Sequence, residues 1–185
     1  MYPVFRFAWQ MWKHRRDPRL SLLETHVSRH RCWPWDLDIW MELNNGRTLT
    51  LYDLGRLPMS MRTGMIDVLK EKGWGITMAG ASLRYRRRVT VFEMLTMKSR
   101  GLGWDDRFFY VEQSMWRADG ECTSHALFRS ALVGGKGRAG IVPPAELAKA
   151  LGHDGPSPEL PDYVKAWIAA DAHRPWPPMQ DAPPA

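Results

Sequence analysis

Between Thr25 and Trp33, His26, Ser28, His30 and Cys32 alternate with Val27, Arg29, Arg31 and Trp33, a period of two that predicts a strand, polar on much of its surface. Pro34 ends or bends it. The period then lengthens. After Asn44-Asn45-Gly46, the residues Leu49, Tyr52, Asp53, Arg56 and Leu57 recur at helical spacing, and Asn44 suits an N-cap because its side-chain oxygen accepts from first-turn N–H groups. Pro58 has no N–H to continue the ladder, which predicts a break or kink there. A second helical run over 60–72 carries Met61, Met65, Ile66, Val68 and Leu69 and stops at Gly73.

From Trp74 the texture returns to strand, in stretches over 74–78, 81–89, 91–100, 107–117 and 122–133. Ala118-Asp119-Gly120 predicts a tight hairpin, since Asp-Gly supplies the positive φ values such a turn needs. Beyond Gly134-Gly135-Lys136-Gly137, short helices are expected over 145–151 and 161–170. The stretch from His173, with Pro175, Pro177, Pro178, Pro183 and Pro184, reads as an extended tail. One strand, a long helix and four or five antiparallel strands predict an α+β layer with helices on one face of the sheet. The division expected is an N-terminal arm over 1–24, one domain over 25–152, and a C-terminal helix with a Pro-rich tail over 153–185; 185 residues suffice for one sizeable core.

The apolar start of the chain, Met1 to Trp12, is interrupted by Arg6 and closed by Lys13-His14-Arg15-Arg16, well short of the roughly 20 residues a membrane span needs. It also lacks the ordered regions of a signal peptide. Two readings stand: an amphipathic helix lying on a membrane surface through residues 1–16, with Tyr2, Phe5, Trp9 and Trp12 on one side, or an arm packed on its own domain.

Charge changes the picture little. A net charge of +6, a pI near 9.6 and the run Arg84, Arg86, Arg87, Arg88 invite a nucleic-acid reading, but acidic residues are interspersed and no nucleic-acid-binding signature is present, so none is expected. Strand alternation sends Arg84, Arg86 and Arg88 to one side, as a solvated face, a subunit contact or a rim for phosphates. Cys32 and Cys122 form no C-x-x-C pair, which argues against a zinc site or a disulfide framework; both read as small core residues in a reducing, cytoplasmic setting. No metal or cofactor is expected. His26, His30 and His125 sit in no triad arrangement and read as surface or interface residues. The ten tryptophans predict large apolar surfaces.

The segment Trp35-Asp36-Leu37-Asp38-Ile39-Trp40-Met41-Glu42-Leu43-Asn44-Asn45-Gly46-Arg47, followed by Asp53-Leu54-Gly55-Arg56, resembles the signature of acyl-CoA thioesterases of the 4-hydroxybenzoyl-CoA thioesterase type. The likeness covers roughly residues 25–133. It implies a hotdog fold, an antiparallel sheet wrapped around a long central helix, and a homo-oligomer (a dimer or a dimer of dimers) with sites between subunits. It further implies an acyl-CoA or related thioester substrate, with Asp38 as nucleophile or general base and the Asn45 backbone N–H as donor to the carbonyl oxygen.

That assignment fits the physics of the segment. Thioester hydrolysis needs a group that attacks the carbonyl or activates water, and a donor for the oxygen that becomes negative. A carboxylate just ahead of a helix start, beside N–H groups with no internal partners, supplies both. The structural alternative is that Asp36 and Asp38 only favour the turn and Asn44 only caps the helix.

Asn44, Gly46, Arg84, Arg86 and Arg88 are the candidate substrate contacts. Glu42 stands where the resembled family commonly has His: either a second carboxylate that raises the pKa of Asp38 or itself, or an anion facing the helix N-terminus. Asp53 orients the site or pairs with Arg56. The rivals to hydrolysis are a hotdog protein that binds acyl groups without cleaving them, and a membrane-associated interaction module.

Overall fold

Alternation of apolar and polar residues along four long strands gives the chain a sheet with two faces to cover, and the helices cover both. In the computed structural model, which describes residues 3–134 and 140–179, the elements run α1 Val4–His14, β1 His26–Arg31, a 3-10 turn Pro34–Asp36, α2 Asn45–Arg62 and α3 Met65–Lys72. There follow β2 Gly75–Tyr85, β3 Met94–Trp104, β4 Phe108–Trp116, β5 Cys122–Val133, β6 Ile141–Val142, α4 Pro144–Ala150 and α5 Asp162–Ala172. The strands order β1-β3-β4-β5-β2, every pairing antiparallel, with β6 on β5. This is the hotdog arrangement, α+β, with α2 against one face of the sheet.

Leu51, Tyr52 and Leu54 of α2 pack on Leu95, Met97, Phe109, Met115 and Phe128 in the main core. The helix lies so close to β3 that a Cβ on Gly55 would come 2.3 Å from Met97 Sδ. On the other face Tyr110 and Leu127 pack on Val164, Trp167 and Ile168 of α5, so the neighbouring residues Phe109 and Tyr110 of β4 serve two cores, as the period of a strand requires.

Several expectations are corrected. Pro58 does not break α2, which runs on to Arg62; Pro58 is buried there, so packing outweighs the roughly 3 kcal/mol that an interior proline costs. The helix ends instead at Gly64, whose φ of 81° no side-chain-bearing residue adopts readily. The stretches 74–78 and 81–89 form one strand, β2, with a register shift between Met78 and Gly80. The third stretch begins late, because Phe92 takes a φ of 65° in the turn before β3.

His26 and His30 are not surface residues: they and Ser28 form the buried side of β1, continued by the buried Cys32 just past its end, and Val27, Arg29 and Arg31 face out. One ring nitrogen of each histidine meets a neighbour. Arg62 Nη1 lies 2.9 Å from His26 Nδ1, and Ser28 Oγ 2.8 Å from His30 Nε2.

The N-terminal segment packs on its own domain through one face and leaves the other exposed. Gln10 and His14 are buried and Phe7 packs against the core, whereas Phe5 is 92% exposed and Trp9 57%. Arg6 Nη2 and Gln10 Nε2 donate to the carbonyls of Arg31 and Arg29, at 2.9 and 3.3 Å. Helix α1 thereby closes the β1 edge of the sheet, a common protection against unwanted strand pairing, and β2 forms the opposite edge. No helix among the described residues is long and apolar enough to cross a membrane. Tyr2, the Gly135-Lys136-Gly137 connection and the tail prolines Pro183 and Pro184 lie outside the described residues.

Candidate active site

The site is built on a loop that one buried carboxylate fastens. Asp36 is fully buried. Its Oδ2 accepts from Arg6 Nη1 at 2.7 Å and from the Trp33 N–H at 3.1 Å, its Oδ1 accepts from Arg47 Nε and Nη2 at 3.2 and 3.0 Å, and its carbonyl accepts from the Asn44 N–H at 2.9 Å. A buried carboxylate persists only with its lone pairs occupied in this way. Asp36 thus ties α1, the 3-10 turn and the first turn of α2 together.

From there the chain makes a narrow excursion. Leu37 pairs with Leu43 in an isolated bridge, the Asp38 N–H donates to the Glu42 carbonyl at 2.8 Å, and the Met41 N–H donates to the Asp38 carbonyl at 3.1 Å. Asp38 Oδ1 accepts from the N–H groups of Trp40 at 2.9 Å and Glu42 at 3.4 Å. Its Oδ2 has no hydrogen bond among the described residues. Ile39, Trp40 and Met41 at the tip are 84%, 68% and 65% exposed. The Leu43 N–H donates to the Val89 carbonyl at 2.8 Å, which fixes the loop against the segment that follows the arginine run.

Asn44 caps α2 as its position predicts. With φ −60° and ψ 137° it stands outside the helix, and its Oδ1 accepts from the N–H groups of Gly46 and Arg47 at 2.8 and 3.1 Å; the Thr48 N–H reaches the Asn44 carbonyl at 2.9 Å. That leaves the Asn45 N–H, among the described residues, with no partner. It sits at the positive end of an 18-residue helix.

Asn45 opens onto a groove of about 250 Å³ walled by Glu42, Thr48, Tyr85, Arg86, Arg87 and Arg88, with Ser124 at the back. Tyr85 Oη donates to the Asn45 carbonyl at 3.2 Å, holding the first turn from the sheet side. Strand β2 stops at Tyr85, and the N–H groups of Arg86 and Arg87 both reach the Thr123 carbonyl, at 2.8 and 3.1 Å. Strand alternation therefore fails beyond Tyr85, and Arg84 stays on the exposed strand outside the groove while Arg86 and Arg88 line it. Arg87 is held by Glu121. Arg88 Nε approaches Glu42 Oε2 to 2.6 Å without the alignment of a hydrogen bond, so the charge facing Glu42 is a cation. The Arg86 guanidinium has no ion-pair partner among the described residues.

The other candidates lie elsewhere. Asp53 is two turns into α2 and pairs with Arg56, whose Nη1 also donates to Gln113 Oε1 at 3.0 Å; burial raises the pKa of Asp53 and Arg56 opposes it. Asp53 does not line the groove. Cys32 is fully buried and its thiol is pushed up to about 11 by burial and the nearby carboxylates. His125 sits on the outer face of the sheet, 2.8 Å from Glu112. Sequence reasoning missed Tyr85 and Thr48 as walls and Arg6 as a support; for Tyr85 the helix-facing side of β2, shared with Leu83, was the available signal. No group of three or more His, Cys, Asp or Glu among the described residues is placed to hold a metal ion.

The fold is that of a hotdog thioesterase-type protein, and comparison with known proteins agrees. The sequence model of the thioesterase-like superfamily matches residues 32–168, and the chain belongs to that superfamily. It is similar to Protein THEM6 of Xenopus laevis, with 32% identity over 164 residues that span 88% of this chain and 77% of the relative. Among solved structures it is similar to YbaW, a probable thioesterase from Escherichia coli, at a TM-score of 0.64 and 14% identity over 69% of this chain and 96% of that one. It is also similar to Slr0204, a 1,4-dihydroxy-2-naphthoyl-CoA thioesterase from Synechocystis, at a TM-score of 0.60 and 10% identity over 71% of this chain and 97% of that one. At these identities the structural likeness is one of fold.

Proposed function

We propose that the protein hydrolyses acyl-CoA thioesters in the groove at the start of α2. The observation that carries this reading is the Asn45 N–H, without a partner among the described residues, at a helix N-terminus that lines a cationic groove beside the Asp38 loop. The thioester carbonyl oxygen accepts from Asn45, where N–H and helix dipole favour the negative charge of the tetrahedral intermediate, an interaction worth about 3 kcal/mol in other enzymes. Asp38 is the nucleophile or general base. As base, its free Oδ2 takes a proton from water while the oxygen adds to the carbonyl carbon; the C–S bond then breaks and the thiolate leaves to be protonated. Arg86 and Arg88 meet the phosphates of CoA.

Two copies complete the site. Edge strand β2 carries exposed Ile76, Met78 and Tyr85, and β2-to-β2 pairing places a second subunit against the Tyr85 wall of the groove, whereas α1 closes the opposite edge.

One arrangement favours a second reading, acyl binding without cleavage: Glu42, where the resembled family commonly has His, is neutralised by Arg88, and Asp38 is absent from the residues that wall the groove. Release of free thiol from short, long and aromatic acyl-CoAs by the wild type and Asp38→Asn separates the two. Turnover lost in the variant supports hydrolysis; saturable binding with no turnover in either supports the second reading.

A further inference from the structure

Helix α1 and β1 enclose a second groove, of about 480 Å³, at the end of the sheet away from β2. Its apolar walls are Phe5, Trp9, Trp33 and Met94; its charged walls include Lys13, Arg29 and Arg31. These three cations make no ion pair among the described residues, and no carboxylate lines the groove. Arg6, the fourth cation, is already committed to Asp36. Gln10 and His30 also line the groove, buried side chains whose Oε1 and Nδ1 lack partners among the described residues.

The surround is aromatic and exposed. Trp12 stacks on Trp9 with ring centroids 5.0 Å apart, and Trp35 on Trp33 at 5.4 Å. Phe5 is 92% exposed, Trp35 63% and Trp12 53%. Arg15 lies over the Trp12 ring at 4.3 Å. A contiguous surface of Trp and Phe interleaved with unpaired Lys and Arg is unfavourable to leave in water and matches the interfacial zone of a bilayer, where the rings lie at headgroup depth and the cations meet lipid phosphates.

We propose that this face docks the protein on an anionic phospholipid surface, with a lipid phosphate held between Lys13, Arg29 and Arg31 and the rings of Phe5, Trp9 and Trp12 entering the headgroup layer. A free phosphate would satisfy the cations but leave the exposed rings in water, which is why the charge complementarity points to lipid. The proposal stands apart from the reaction assigned to the α2 groove, which the docking face does not line.

The test is co-sedimentation of the full chain with vesicles of phosphatidylcholine alone and of phosphatidylcholine containing about 30% phosphatidylglycerol, in about 0.1 M and about 1 M salt. The expected result is binding to the anionic vesicles, weakened by salt. Partitioning should fall about tenfold or more in Phe5→Ala/Trp9→Ala/Trp12→Ala, and preference for the anionic lipid should be lost in Lys13→Glu/Arg29→Glu/Arg31→Glu. Both variants change exposed groups, and melting curves matching the wild type confirm their fold. Equal sedimentation with the two vesicles, or none with either, overturns the proposal. So does light scattering that finds the aromatic variant monomeric where the wild type is dimeric, because the face would then be a subunit contact.

Discussion

Replacing Asp36 by Asn keeps the shape of the side chain but takes the negative charge from between two guanidinium groups. The carboxylate accepts four hydrogen bonds from Arg6, Arg47 and the Trp33 N–H, and it is fully buried. Removing one partner of a buried ion pair costs about 3–5 kcal/mol, chiefly because the remaining charge is left without compensation. The Arg6 and Arg47 side chains are 19% and 22% exposed, so water reaches both, and a loss near the lower end, about 3 kcal/mol, is expected. Urea denaturation followed by circular dichroism measures it. In a double-mutant cycle, Asp36→Asn combined with Arg6→Met should cost less than the sum of the two single changes, since each removes the same interaction. A loss below about 1 kcal/mol for Asp36→Asn would place Asp36 among exposed ion pairs and refute the reasoning.

Two further outcomes follow from the same geometry. His26 and His30 are held neutral, at about 4 and about 3, mainly by burial and secondarily by nearby cationic groups. Their folded values lie below the unfolded value near 6.5, so the stability they confer is full above about pH 6.5 and is lost as pH falls through the folded values. By about pH 5 the loss relative to pH 8 is about 4 kcal/mol for the pair; His30→Gln should halve the slope of the urea midpoint against pH, and a flat profile would contradict the burial argument. At the groove, Arg86→Ala should raise KM for an acyl-CoA about tenfold with kcat little changed, and have no such effect on an acyl-pantetheine lacking the nucleotide phosphates; an equal effect on both substrates would remove Arg86 from phosphate recognition.

The parts of this protein that were legible in its sequence are those decided locally. Asn44 announces the start of α2 because capping needs only a short polar side chain and the N–H groups two and three residues on, and Asp119-Gly120 announces its hairpin for a similarly local reason. What the sequence concealed was decided by tertiary partners. The alternation of β1 is correct in period, but which face is buried depends on Arg62, Ser28 and helix α1, so the histidines and not Val27 point inward. Pro58 continues α2 because its burial offsets the missing hydrogen bond. Arg86 and Arg88 reach the groove because β2 ends at Tyr85, where two successive N–H groups bend toward the Thr123 carbonyl; a period-two extrapolation has no means of finding that end. Within the Asp36-Leu37-Asp38 turn only the family resemblance distinguishes the two carboxylates in the sequence. The structure separates them by burial: Asp36 is saturated with donors, and Asp38 keeps one oxygen free.

The most direct test of the account is kcat/KM of Asp38→Asn on an acyl-CoA cleaved by the wild type, with thermal melts of both proteins measured in parallel. The amide still accepts from the Trp40 N–H, so the predicted result is an unchanged melting temperature with a fall in kcat/KM of about a thousandfold. Thiol release by Asp38→Asn equal to that of the wild type would contradict the assignment of Asp38 to the chemistry.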